Sequence, residues 1–290
     1  MLADAASRGG PTRYGRTDLP DWNGRYSRGA VKTATWYHGA VLQIPTYLSL
    51  LTPEYQTRFV QQMYHYAVSN APQWPASYCQ PEGFMRRIAL YSGFSPSIMV
   101  ADDLVQILNQ GAANFMTHVY LGRQFNEDGT VPYLSADVRR GYGETIGFWD
   151  AEVLVTWTSN IKGWIAHGAF EFSDRMQSIE VYTPRKDEAG RVVGMDHEIV
   201  LYDPEALVDP VRILHRWTKA GALGDGDPYP YIECVRLNYP VDGVATPIAP
   251  GTTIEFTVPD IYGRPWADVW ERYFEPGMER PERQTLFGFE

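Results

Sequence analysis

Several histidines, carboxylates and phenols stand where strand alternation would gather them, and their spacing frames the chemistry open to this chain. Period-2 alternation puts Val211, Ile213, His215 and Trp217 on one face of a strand. A neutral imidazole on an apolar interior face, beside a carboxylate, is a general base near neutral pH. The same pattern suits a core histidine bonded to a backbone carbonyl. His118 shares its face with Met116 and Tyr120. Turned inward, this trio suits an aromatic ligand, with apolar contact, hydrogen-bond donors and Tyr120 available to a developing oxyanion. Turned outward, it is a histidine beside a tyrosine at a sheet edge. Glu180 shares a face with Met176, Ser178 and Tyr182. If that face is the interior, burial makes Glu180 an acid–base group. If it is the exterior, Glu180 is one arm of a surface cross-strand pair. Glu233 poses the same question.

The remaining candidates are looser. His167 precedes Gly168 and is followed by Glu171 and Asp174, which allows a His–carboxylate pair across a turn or a surface loop of scattered charge. Arg139 and Arg140 could receive a carboxylate or sulfate through their guanidinium forks, or simply cover a solvated turn. His197, between Asp196 and Glu198, reads as part of a solvated charge cluster at the start of a strand. His65 and His38 read as structural. The expected catalytic set is therefore His118, His167, Glu180 and His215. The expected substrate contacts are Met116, Tyr120, Arg140, Asp174 and Trp217.

Other chemistries lack their motifs. The chain has no HExxH, HxH or CxxC, so no zinc pattern stands out and no metal is expected. It has no GxSxG elbow, P-loop or GxGxxG after a strand, which leaves a serine triad or a bound nucleotide without support. No cofactor is expected. With 25 basic against 35 acidic residues the net charge is −10, which repels phosphate backbones and argues against a nucleic-acid partner. No run of 18 apolar residues spans a membrane. Cys79 and Cys234 are too few for a disulfide framework, and their pairing is left open. The start, MLADAASRGG, lacks the basic and apolar regions of a signal peptide, which fits a cytoplasmic protein or one whose signal has been removed.

The elements that must position these residues follow from periodicity. The chain divides into an N-terminal arm over 1–52, a helix and linker over 53–75, and an antiparallel β-barrel over 76–290. Residues 1–35, rich in Gly, Arg, Ser and Asp, read as extended. Thr52 as cap, Pro53 and Glu54 open a helix over 53–68, whose stripe of Tyr55, Phe59, Val60, Met63, Tyr66 and Ala67 packs on the body. Short β-runs follow at 97–108, 113–121, 144–149, 152–158, 174–183, 196–203, 211–219, 230–238 and 252–258. Many short runs without interleaved helices predict an antiparallel sheet, and closing it removes the exposed edges. A sandwich is the competing solution. Residues 184–195 and 220–230 read as long surface loops, and the tail from Arg264, with Trp266 and Trp270, as an amphipathic closing segment.

The ordered series Asp21-Trp22-Asn23-Gly24, Leu51-Thr52-Pro53-Glu54 and Cys79-Gln80-Pro81-Glu82-Gly83 runs on through Gly141–Trp149, Leu154-Val155-Thr156, Ser173-Asp174, Glu180 and Asp203-Pro204. This series resembles a family of mostly secreted bacterial β-rich proteins of unassigned function. The resemblance covers roughly residues 20–220. It implies a lipocalin-like fold in a periplasmic or secreted setting and carries no catalytic assignment. The chain departs from the family pattern at Phe172-Ser173, where His-Ser is expected, and at Met116-Thr117-His118-Val119-Tyr120, where an arginine-rich strand is expected. Together these readings predict a cofactor-independent lyase, hydratase or isomerase acting on a small hydrophobic or aromatic molecule in the barrel. The alternatives are a non-catalytic carrier of such a molecule and a metal-dependent lyase or hydrolase. A homo-oligomer is compatible with all three.

Overall fold

The computed structural model of the protein describes residues 1–29, 48–69, 83–87, 96–109, 115–124, 139–165, 170–223, 238–241 and 244–247. The chain is mainly β. Nine strands close into a barrel: β1 (Gly24–Gly29), β2 (Pro96–Val100), β3 (Leu104–Asn109), β4 (Phe115–Leu121), β5 (Glu144–Asp150), β6 (Val153–Ser159), β9 (Gln177–Lys186), β10 (Val192–Tyr202) and β11 (Val211–Gly221). Around the ring they run β1-β11-β10-β9-β6-β5-β4-β3-β2 and return to β1. Two short pairs lie outside it, β7 (Trp164–Ile165) with β8 (Glu171–Phe172), and β12 (Asn238–Val241) with β13 (Val244–Pro247). The result is a barrel rather than a sandwich, of the lipocalin-like kind.

Four features differ from the sequence reading. The first candidate strand, 97–108, is a hairpin: β2 and β3 pair antiparallel around Asp102 and Asp103, whose charges turn to solvent. The expected loop over 184–195 is mostly strand, because β9 and β10 continue to Lys186 and from Val192. Only Asp187 to Arg191 turns there. The Asp187 carboxylate caps this turn by accepting the backbone N–H groups of Ala189 and Arg191. The expected extended arm contains α1 (Leu2–Ser7) and β1, the strand that joins β11 to β2 and closes the ring. Finally, β4 and β5 are parallel while every other junction is antiparallel. Strand direction around a closed ring must reverse an even number of times, so nine strands require at least one parallel junction. The expected strand 252–258, the closing tail and most of 230–238 lie outside the described residues.

The interior is layered. One apolar layer gathers Trp22, Tyr26, Ile98, Val105, Trp149, Leu154, Met195 and Trp217 at one end of the barrel. A second, at the other end, joins Ile199, Leu201, Val211 and Ile213 to Phe170, Phe172 and Met176. The helix α2 (Pro53–Ser69) covers that second layer with Tyr55 and Phe59, as its stripe predicts. Thr52 precedes the helix, and the Gln56 N–H donates to its carbonyl at 2.8 Å. The Thr52 hydroxyl donates to the Glu205 carbonyl at 2.8 Å, tying the helix start to the β10–β11 turn. That turn is built on buried Asp203, whose carboxylate accepts from the Ser173 backbone N–H (2.7 Å) and hydroxyl (2.6 Å) and from the N–H of Ala206 (3.1 Å).

The first layer is strapped by residues 1–23. Thr12 bridges Trp149, and the Tyr14 hydroxyl donates to the Ala151 carbonyl at 3.0 Å. Ala151 holds φ +50°, a conformation that disfavours a Cβ, and the Thr12 hydroxyl accepts its N–H at 3.0 Å. The strap thus steadies the β5–β6 hairpin from outside.

Candidate functional site

Between the two apolar layers lies a polar belt. Along β9, β10 and β11 the inward positions read Ser178-Glu180-Tyr182, Met195-His197-Ile199 and Ile213-His215-Trp217. Glu180, His197 and His215 are 1%, 3% and 2% exposed, so all three are interior side chains. Thr145, Thr156, Thr158 and Ser178 continue the belt on β5, β6 and β9, and the Thr145 and Thr158 hydroxyls bond to each other at 2.8 Å.

Register explains why these groups meet. On β9 and β10, Tyr182 stands opposite His197 and Glu180 opposite Ile199, which puts Glu180 one diagonal step from His197. His197 in turn stands directly opposite His215 on β11. The Glu180 carboxylate accepts the Tyr182 hydroxyl at 2.7 Å and the Ser178 hydroxyl at 3.1 Å, and its Oε2 lies 2.8 Å from His197 Nε2. Three donors converging on one carboxylate offset the cost of burying it. The Tyr182 ring stacks on the His197 ring at 4.1 Å and 12°. The imidazole is therefore held by a hydrogen bond along one edge and by a ring across one face. Trp217 meets His197 edge-on at 5.0 Å, and the His215 ring lies 5.7 Å away.

A carboxylate that accepts from Nε2 selects the tautomer of a neutral imidazole, leaving the lone pair on Nδ1. An acid that orients a histidine in this way is an arrangement that can serve general acid–base chemistry. The described residues bring no group of three or more His, Cys, Asp or Glu side chains together as a metal site would. No Lys or Arg is among the fully buried residues described.

Of the candidates read from sequence, Glu180, His215 and Trp217 face the interior and come together. Met116, His118 and Tyr120 face outward, against the inward reading. On β4 the buried positions are Thr117 and Val119, while Met116 is 44% exposed. His118 Nε2 lies 3.2 Å from Gln106 Nε2 on the outer surface, and Arg123 covers the Tyr120 ring at 3.7 Å. Arg140 is exposed and pairs with Glu144 at 2.9 Å. Asp174 is exposed and accepts the Gly163 N–H at 2.6 Å, a turn contact remote from the belt in the register. His167, Glu233, Cys79 and Cys234 lie outside the described residues.

His197, expected in a surface charge cluster, is an interior residue. Its neighbours Asp196 and Glu198 do face solvent, where they pair with Arg216 at 2.8 Å and Arg212 at 2.6 Å. Alternation then sends His197 the other way. The signal was available: Met195, His197, Ile199 and Leu201 form an unbroken inward series once both acids are placed outside. Comparison with protein-family models, with curated proteins and with solved structures gives no match to this chain.

Proposed function

We propose that the barrel is a cofactor-independent enzyme of the lyase, hydratase or isomerase type. In this reading it moves a proton on a small, mainly apolar or aromatic molecule held against the polar belt. The observation that carries this reading is the buried Glu180–His197 pair, with Tyr182 both hydrogen-bonded to the acid and stacked on the base. His197 takes and returns the proton. Glu180 holds its tautomer and balances the imidazolium that forms. His215, opposite His197, is the second proton-handling group. Tyr26, Trp149, Tyr182 and Trp217 supply the aromatic wall against which a flat apolar substrate packs. General acid–base catalysis of this kind contributes roughly 10²–10⁴-fold. The periplasmic or secreted setting that the resemblance implies is part of the same reading, and cell fractionation tests it.

The test is to incubate the protein in deuterium oxide with pooled small aromatic and terpenoid compounds and to follow their masses. A working acid–base pair yields a new product or deuterium incorporated at carbon, and His197→Gln removes either signal by about 10²-fold or more. A compound retained without exchange or conversion would make the protein a carrier and overturn the enzymatic reading.

A further inference from the structure

Trp22 has a full set of backbone partners and an orphaned side chain. Its backbone N–H donates to the Pro20 carbonyl at 2.7 Å, and its own carbonyl accepts the Tyr26 hydroxyl at 2.7 Å. On either side, Lys219 donates to the Asp21 carbonyl at 3.1 Å, and Asn23 Oδ1 accepts the Val100 N–H at 2.8 Å. The segment is pinned, and the indole is fully buried. Its ring meets Trp149 edge-on at 4.8 Å and lies 6.5 Å from the Tyr182 ring, the same ring that stacks on His197. Yet the indole Nε1–H finds no hydrogen-bond partner among the described residues.

An unmet buried donor costs stability, and native interiors meet more than nine in ten of them. The indole donor is accounted for if its acceptor arrives with the ligand. We infer that the Trp22 Nε1–H is a ligand-binding donor, and that the barrel takes an uncharged, mainly apolar molecule carrying a carbonyl or similar acceptor oxygen. An uncharged oxygen suits this interior, because the fully buried described residues include the carboxylates of Glu180 and Asp203 and no Lys or Arg. The buried Arg25 and Arg185 Nε atoms belong to partly exposed side chains. This inference rests on the proposed ligand-holding barrel and adds to it the class of ligand and the group that selects it.

Two probes share one bicyclic skeleton and differ by a single carbonyl: tetralone and tetralin. Titration calorimetry on the full chain should give tetralone a roughly tenfold lower Kd, the size of one well-placed hydrogen bond. Trp22→Phe should abolish that preference, so that the ratio of the two Kd values falls to about one whatever the change in absolute affinity. In the ¹⁵N-labelled protein, one buried indole N–H signal should move on adding tetralone and stay in place with tetralin, a readout that needs no variant. Equal binding of both probes by the unaltered protein, or a ketone preference that survives in Trp22→Phe, overturns the donor assignment and leaves the barrel reading standing. Binding of neither probe overturns both.

Discussion

Two strands carry the same Met-x-His spacing and place it on opposite sides of the wall. On β4, Met116 and His118 face outward and Thr117 and Val119 are buried. On β10, Met195 and His197 are buried, while Asp196 and Glu198 face outward to Arg216 and Arg212. The intervening residues decide the outcome. A pair of flanking carboxylates costs far more to bury than a histidine does, so β10 turns its acids to water and takes His197 inside. β4 has only Thr117 and Val119 to weigh against its histidine, and the valine wins the interior. On these two strands the histidine's face follows from its neighbours, whereas β9 buries Glu180 and turns Ile179 and Val181 outward because Ser178, Tyr182 and His197 meet its carboxylate.

The largest effect should come from reversing that logic on β4. Val119→Asp puts an unpaired carboxylate into the apolar layer, at a cost of several kcal/mol. That is a large part of the roughly 5–15 kcal/mol that holds an ordinary domain together. Circular dichroism should show no cooperative unfolding transition; a urea midpoint near that of the unaltered protein would contradict the assignment of faces.

Next comes the belt itself. Glu180→Leu leaves the Tyr182, Ser178 and His197 donors without their shared acceptor and should cost about 3–5 kcal/mol in chemical denaturation. Replacing both Glu180 and His197 by Leu should return part of that loss, because neither buried partner is then stranded. A double variant less stable than the single one would show that the pair is not a unit.

Alkaline titration reads the neighbouring apolar layer. Burial, helped by the charge of Asp21, pushes the Tyr26 phenol well above the ordinary tyrosine range. The folded state thus favours the neutral phenol. Its contribution to stability is whole below the unfolded-chain value of about 10 and is lost as pH rises beyond it. Tyr26→Phe should flatten this alkaline loss. At neutral pH it should cost only about 1 kcal/mol, for the hydrogen bond to the Trp22 carbonyl. An unchanged alkaline slope would place the titration elsewhere.

The smallest effect belongs to the outward histidine. His118→Ala should stay within about 0.5 kcal/mol of the unaltered protein and leave any deuterium exchange intact. Loss of exchange in this variant would return catalytic weight to the outer face of β4.

Much of the architecture was legible in the chain. The helix over 53–68 announced itself through Pro53, Glu54 and the Tyr55–Phe59 stripe, and the period-2 runs marked six of the barrel strands singly within a few residues and β2 and β3 together as one run. β1 was not legible, because Arg25, Ser27 and Arg28 leave only Tyr26 as a large apolar residue in a strand that pairs on both sides. The parallel β4–β5 junction was not legible either, since it follows from the number of strands that close the ring, a property no local window contains. Trp22 was hidden in the same arm; what makes it notable is an unmet hydrogen bond, which exists only once its neighbours are in place.

The sequence by itself determined which residues share a face, because alternation is a local consequence of the pleat. It placed Ser178, Glu180 and Tyr182 together, and His215 with Trp217. Only the tertiary structure decided which of the two faces lies inside, because that choice balances the burial cost of every side chain on a strand against its cross-strand neighbours. Those neighbours are remote in sequence: Glu180 meets His197 across β9 and β10, and His197 meets His215 across β10 and β11. The Glu180–His197 pair belongs to the register of the sheet, and no single strand encodes it.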